Sequence, residues 1–181
     1  MKIQITIVVT VIFLTSSALA MAGNSGGYFH IPIGIRHFTH LMLPPKDLYE
    51  HIVNDEFLFW EAGFSKNYSL NPKYLDFYEL GLYSPIDNLP SSFRFKGIIK
   101  AQFFFKDELL FEKEIGHQIA VIYIEGDMGH YKNVSLLNFE IPLLGKYKDD
   151  VSVVLTVLKP DVNLKKYARS VKIYIAVSAI P

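Results

Sequence analysis

Apolar and polar residues alternate with a period of two over much of this chain. The clearest stretch is 93–105: Phe93, Phe95, Ile99, Ala101, Phe103 and Phe105 fall on one side, with Arg94, Lys96, Lys100 and Gln102 on the other. A period of two is the mark of a half-buried strand. Lys106-Asp107 interrupts the pattern, and Leu109, Phe111 and Ile115 then alternate with Leu110, Glu112 and Glu114, so a hairpin is predicted there. Two later stretches repeat the alternation: Val151, Val153, Leu155 and Val157, and then Val171, Ile173, Ile175 and Val177 against Lys172, Tyr174 and Ser178. Less regular strand-like runs cover 28–35, 57–64, 75–83, 119–125 and 134–141.

Turn signals separate these runs at Asn71-Pro72, Ser84-Pro85, Asp87-Asn88, Gly126-Asp127, Gly145 and Lys159-Pro160-Asp161. A helical face is readable only at 45–53, through Leu48, Ile52 and Val53, and briefly at 162–167. Roughly eight or nine short strands without a long helical period predict an all-β fold. The expected architecture is an antiparallel β-sandwich, immunoglobulin-like or jelly-roll, with at most one short helix, and a closed barrel is the competing arrangement.

The N-terminus departs from this alternation. Lys2 precedes an apolar run over 3–14, which ends at Ser16-Ser17 and Ala18-Leu19-Ala20. A single charge, a short hydrophobic core and small residues at the cleavage positions are the three parts of a secretory signal peptide, cut after Ala20 or after Ala22. Residues 1–22 are thus expected to be removed, leaving one domain over 23–181. An uncleaved anchor would need a longer apolar run and would lack the A-x-A ending. Export places the chain in the periplasm or outside the cell, with no membrane span once the signal is gone. There are no cysteines, so the core alone must hold the fold and no lipid can attach to a cysteine after the cleavage site.

Hydrophobic residues make up 50% of the chain and aromatics 14%, enough for a sizeable core and too many for a disordered chain. The 18 basic and 18 acidic residues balance, so bulk charge recruits neither nucleic acid nor an anionic membrane. The sequence contains no Gly-x-Ser-x-Gly elbow, phosphate-cradling glycine loop, His-Glu-x-x-His helix or cysteine nucleophile. The carboxylates of Glu112 and Glu114 share a strand face but lie on its polar side, where solvation is their ordinary role. No catalytic residue and no cofactor is therefore assigned.

Three candidate binding regions remain. Trp60, within Phe57-Leu58-Phe59-Trp60, is either a core anchor or a platform for a sugar ring. Tyr68, Tyr74, Tyr78 and Tyr83, among Asn67, Asn71 and Asn88, have the composition of contact loops, since tyrosine covers area at low entropic cost. Asp127, His130 and Tyr131, in Gly126-Asp127-Met128-Gly129-His130-Tyr131, form either a binding loop or a structural turn. His30, His37 and His40 raise the alternative of a metal site. A His-x-x-His spacing converges on one ion if helical and splays the two rings if extended. Asn67-Tyr68-Ser69 and Asn133-Val134-Ser135 fit the glycosylation sequon.

From Phe93 onward the layout is a long strand entered through Gly97, a tight break, and a returning strand. Phe139-Glu140-Ile141-Pro142, Gly145-Lys146-Tyr147, the 151–158 strand, Lys159-Pro160-Asp161 and a last amphipathic strand follow. This resembles small exported β-sandwich proteins of Gram-negative bacteria, some of them periplasmic immunity proteins that block a toxin delivered by a neighbouring cell. The resemblance is one of layout and implies a non-enzymatic protein whose partner is another exported protein. It carries no functional residue across. A carbohydrate- or small-ligand-binding module is the alternative, and a histidine metal protein comes after it.

Overall fold

A computed structural model describes residues 39–178 except 41, 75, 86–87, 91, 127–128, 141–150 and 168–169. The predicted signal peptide, the 28–35 run, His30 and His37 lie outside the described residues, as does Asp127. Among the described residues, nine strands form two antiparallel sheets packed face to face: β1 (Val53–Glu56), β2 (Ser65–Leu70), β3 (Phe77–Pro85), β4 (Ile98–Phe105), β5 (Glu108–Ile115), β6 (Ala120–Gly126), β7 (Gly129–Glu140), β8 (Val151–Lys159) and β9 (Lys172–Val177). The first sheet has the order β1-β9-β3-β7-β6 and the second β2-β8-β4-β5.

The pairs β1·β9, β2·β8, β3·β7 and β4·β5 are nested in the sequence, as in one long hairpin. Rolling that hairpin adds the contacts β3·β9 and β4·β8 and puts successive pairs on alternate sheets. Nested pairing of this kind is jelly-roll topology, with β6 added outside β7. It decides between the two sandwich types that the alternation left open.

Alternation builds the core. Ile99, Ala101 and Phe103 of β4, and Val151, Val153, Leu155 and Val157 of β8, face inward against Tyr78, Leu80 and Leu82 of β3 and Ile173, Ile175 and Val177 of β9. The Phe103 and Phe139 rings meet across the sheets at 4.6 Å, and Phe103 stacks on Phe111 at 4.3 Å. The predicted β4–β5 hairpin closes on Lys106-Asp107, with Lys106 at φ 54°.

Several segments differ from the sequence reading: residues 93–97 lie ahead of β4, and 65–70, read as a tyrosine-bearing connection, form β2. Residues 45–53 form a turn, with Leu48 N–H bonded to the Pro45 carbonyl, before β1 begins at Val53. The 57–64 run is a loop: Phe57 and Phe59 are buried and their rings pack at 4.8 Å, so an apolar connection seals the core without joining a sheet. The brief helical signal at 162–167 is a 3₁₀ helix, Val162–Tyr167, anchored by Leu164.

Candidate functional site

Three regions of the molecule carry chemistry beyond packing. The first lies on the face of the β1-β9-β3-β7-β6 sheet opposite the core. Glu79 sits between the inward Tyr78 and Leu80, and Tyr174 between the inward Ile173 and Ile175, so both point away from the sandwich interior. Both are nevertheless buried, with Asn133 and Ser135 of β7. The Tyr174 hydroxyl donates to Glu79 Oε1 at 2.6 Å, while Glu79 Oε2 and Asn133 Oδ1 find no hydrogen-bond partner among the described residues. Burial raises the Glu79 carboxyl above its usual range, and the Tyr174 bond opposes that rise. Over this floor the His51 ring stacks on Tyr174 at 5.0 Å and meets Tyr83 edge-on at 5.1 Å, and Tyr83 stacks on Tyr131 at 4.9 Å. Burial lowers the His51 pKa. It also pushes the Tyr83 hydroxyl up to about 12, with Tyr131 adding to the effect.

The second region gathers candidates from the tyrosine cluster and the histidines. His40 Nδ1 lies 2.5 Å from Asp76 Oδ2, and its ring meets Tyr74 edge-on. The Tyr74 hydroxyl and the Lys73 ammonium both donate to the Asp47 carboxylate. Tyr78 is buried, with its hydroxyl donating to the Tyr74 carbonyl at 2.7 Å, and burial pushes its pKa up to about 12. His40 thus meets one carboxylate, and among the described residues no group of three or more His, Cys, Asp or Glu side chains could hold a metal ion.

The third region is the outer edge of β6. Among the described residues β6 pairs only with β7, so its far side presents backbone donors and acceptors. The other exposed edges carry charges: β5 has Glu108, Glu112, Lys113 and Glu114, β1 has Asp55 and Glu56, and β2 has Lys66. The β6 sequence Ala120-Val121-Ile122-Tyr123-Ile124 reaches its only charge at Glu125. Tyr123 is 54% exposed, and Ile119 just before the strand is 52% exposed.

At the N-terminal end of β6 lies an open groove of about 610 Å³, lined by Arg94, Phe95, His117, Gln118, Ile119, Ala120 and Val121. Its wall is fixed by side chains that bond to backbone. Gln118 Oε1 accepts from Phe95 N–H at 2.9 Å, and the buried Asp161 accepts from Lys96 N–H at 2.9 Å. Gly97 lets the lining Phe95 ring pack close to the backbone, because a Cβ there would stand 2.8 Å from that ring and 3.0 Å from the Lys159 carbonyl. The segment ahead of β4 is thereby held in place, and Arg94 lines the groove, in which no acidic residue stands among the described lining residues.

The structure scatters the sequence candidates. Trp60 is half-buried and packs on the core, while Tyr68 is buried on β2. His130 is exposed in β7 opposite Glu125, at the far end of the β6–β7 hairpin from His117. Of the glycosylation asparagines, Asn67 is exposed on β2 and Asn133 is buried beside Tyr174. Tyr131 joins Tyr83, His51 and Tyr174, a grouping that no local spacing shows. The groove residues Arg94, His117 and Gln118 were not singled out as a group, although the uncharged 119–124 stretch is visible in the sequence.

Fold and site together define, among the described residues, an antiparallel jelly roll whose β6 edge is unpaired beside a groove bearing Arg94. Against known proteins, no family model, no curated protein and no solved structure matches the chain.

Proposed function

We propose that this chain is an exported, non-enzymatic binding protein that engages another exported protein by accepting one of its strands along β6, in an immunity-like or envelope accessory role. The observation that carries the reading is the contrast among the sheet edges. Charges protect β5, while β6 offers an apolar backbone edge with Ile119 and Tyr123 exposed beside it. Strand addition uses main-chain hydrogen bonds for affinity and alternate side-chain pockets for specificity. A balanced net charge suits a partner recognised by shape and backbone.

The test uses the mature chain, from near Gly23, as bait against envelope and secreted fractions, in parallel with Ile122→Lys. A lysine on the edge blocks strand addition. One exported protein held in stoichiometric amount by the parent chain and lost by the folded variant is the expected result. Equal capture by both chains overturns the strand-addition route. A parent dimer that Ile122→Lys converts to monomer makes a second copy the occupant. Toxicity of the captured protein in cells lacking this chain separates immunity from an accessory role.

The half-buried rings of His51, Tyr83 and Tyr131 over polar Glu79 and Asn133 support a second reading, a carbohydrate- or small-ligand-binding module. A sugar that raises the melting temperature of the parent chain and not of Tyr131→Ala supports it, and a flat response across a broad panel removes it.

A further inference from the structure

Resting on the strand-addition reading, we infer that the incoming strand is the C-terminus of the partner, laid antiparallel to β6 with its terminal carboxylate at Arg94. Strand direction gives the first step. β6 runs from Ala120 to Gly126, and the groove residues Arg94, His117 and Gln118 gather at its N-terminal end. An antiparallel neighbour ends where β6 begins, so its last residues fall in the groove.

Charge gives the second step. The groove is lined by a guanidinium and an imidazole with no carboxylate among its lining residues. A guanidinium binds a carboxylate through a planar fork of donors. Arg94 Nη1 donates to the Phe93 carbonyl at 2.8 Å, which holds the head group in place and leaves its other donors for a ligand. Packing gives the third step. Ile119, Val121 and Tyr123 share one side of the edge by alternation, and Ile119 and Val121 line the groove. Alternate apolar residues of the incoming strand would lie against this row, while the carboxylate fixes register and orientation.

The probes are N-acetylated peptides of alternating Thr and Val, as long as β6, in three forms: a free C-terminal carboxylate, a C-terminal amide, and an amide with Asp at the N-terminal end. Affinities are read by calorimetry at low and at high salt. The expected result is that the free-acid peptide binds about three- to tenfold tighter than either amide, a preference that shrinks with salt. Arg94→Gln should bring the ratio of acid to amide close to one, and Arg94→Lys should keep part of it. Equal affinity for acid and amide peptides on the parent chain overturns the carboxylate inference and leaves strand addition standing. Preference for the N-terminal Asp peptide overturns the antiparallel direction. If no peptide binds the parent chain, strand addition at β6 itself falls.

Discussion

Glu79 shows how one residue links position to stability. It points to the outer side of its sheet, where carboxylates are ordinarily solvated, yet it is buried, with the hydroxyls of Tyr174 and Ser135 opposing the effect of that burial on its proton. As pH rises past its usual value near 4.5, the unfolded chain releases this proton while the folded chain keeps it, so stability falls with rising pH until the folded carboxyl itself titrates. Glu79→Gln removes that slope while keeping an oxygen to accept from the Tyr174 hydroxyl. Thermal melts should show the variant melting higher than the parent at neutral pH, with the gap closing as pH falls toward 4. His51 acts in the opposite sense. Its lowered pKa makes stability fall as pH drops below its usual 6.5, because the unfolded chain then takes up a proton that the folded ring does not. Gly81 lies under the same cluster, at the β3 register shift. A Cβ there would sit 2.5 Å from the Val134 carbonyl and 2.6 Å from the Tyr174 ring. Gly81→Ala should cost about 2–3 kcal/mol in chemical denaturation, by overpacking backbone that cannot retreat.

At the scale of elements, the β4–β5 hairpin and the β6 edge are built by opposite means. The two-residue turn needs a left-handed backbone at Lys106, which costs an L-residue about 1–2 kcal/mol. Lys106→Gly relieves that strain against a larger loss of chain entropy, so a gain of up to about 1 kcal/mol in denaturant unfolding is expected, with the fold unchanged. β5 pairs through Gln102 Nε2 donating to Glu112 Oε2 at 2.9 Å and shows charges to solvent. β6 shows solvent an apolar edge. Beside its middle Lys132, buried on the adjacent β7, donates to the Leu89 carbonyl and lies 5.3 Å from the Tyr123 ring, and its burial lowers its pKa. Tyr123 therefore both marks the open edge and roofs a lysine, and Tyr123→Ala should reduce melting temperature as well as partner binding.

For the whole molecule, nesting makes β9 the hinge of stability. It lies between β1 and β3, so its loss would open the first sheet at two ladders. Leu155 in the centre of β8 is fully buried between β2 and β4, and Leu155→Ala should cost about 2–5 kcal/mol in denaturant unfolding. Nested pairing also sets the speed of folding. β4·β5 closes a two-residue turn, while β1·β9 joins the ends of the described chain. Because loop closure precedes the contacts that reward it, stopped-flow refolding should run in milliseconds to seconds, the range of proteins with long-range strand pairing.

The sequence by itself determined that this chain is all-β and where most of its strands lie, because a period of two is a local consequence of one face being buried, while two sheets rather than a closed barrel came from the structure. The 109–115, 151–157 and 171–177 patterns became β5, β8 and β9 almost residue for residue, while only the 98–105 part of the 93–105 pattern became β4, Phe93 and Phe95 being buried ahead of the strand. The 57–64 run was misleading for the same reason: Phe57 and Phe59 are apolar because they seal the core, and burial without pairing writes the same letters. Only the tertiary structure decided that the sandwich is a jelly roll, since strand order depends on which distant strands meet. It alone brought His51, Tyr83, Tyr131 and Tyr174 together from four parts of the chain and left β6 outermost beside Arg94 and His117. An edge is a property of what fails to pair with a strand, and alternation within the strand itself carries no record of it.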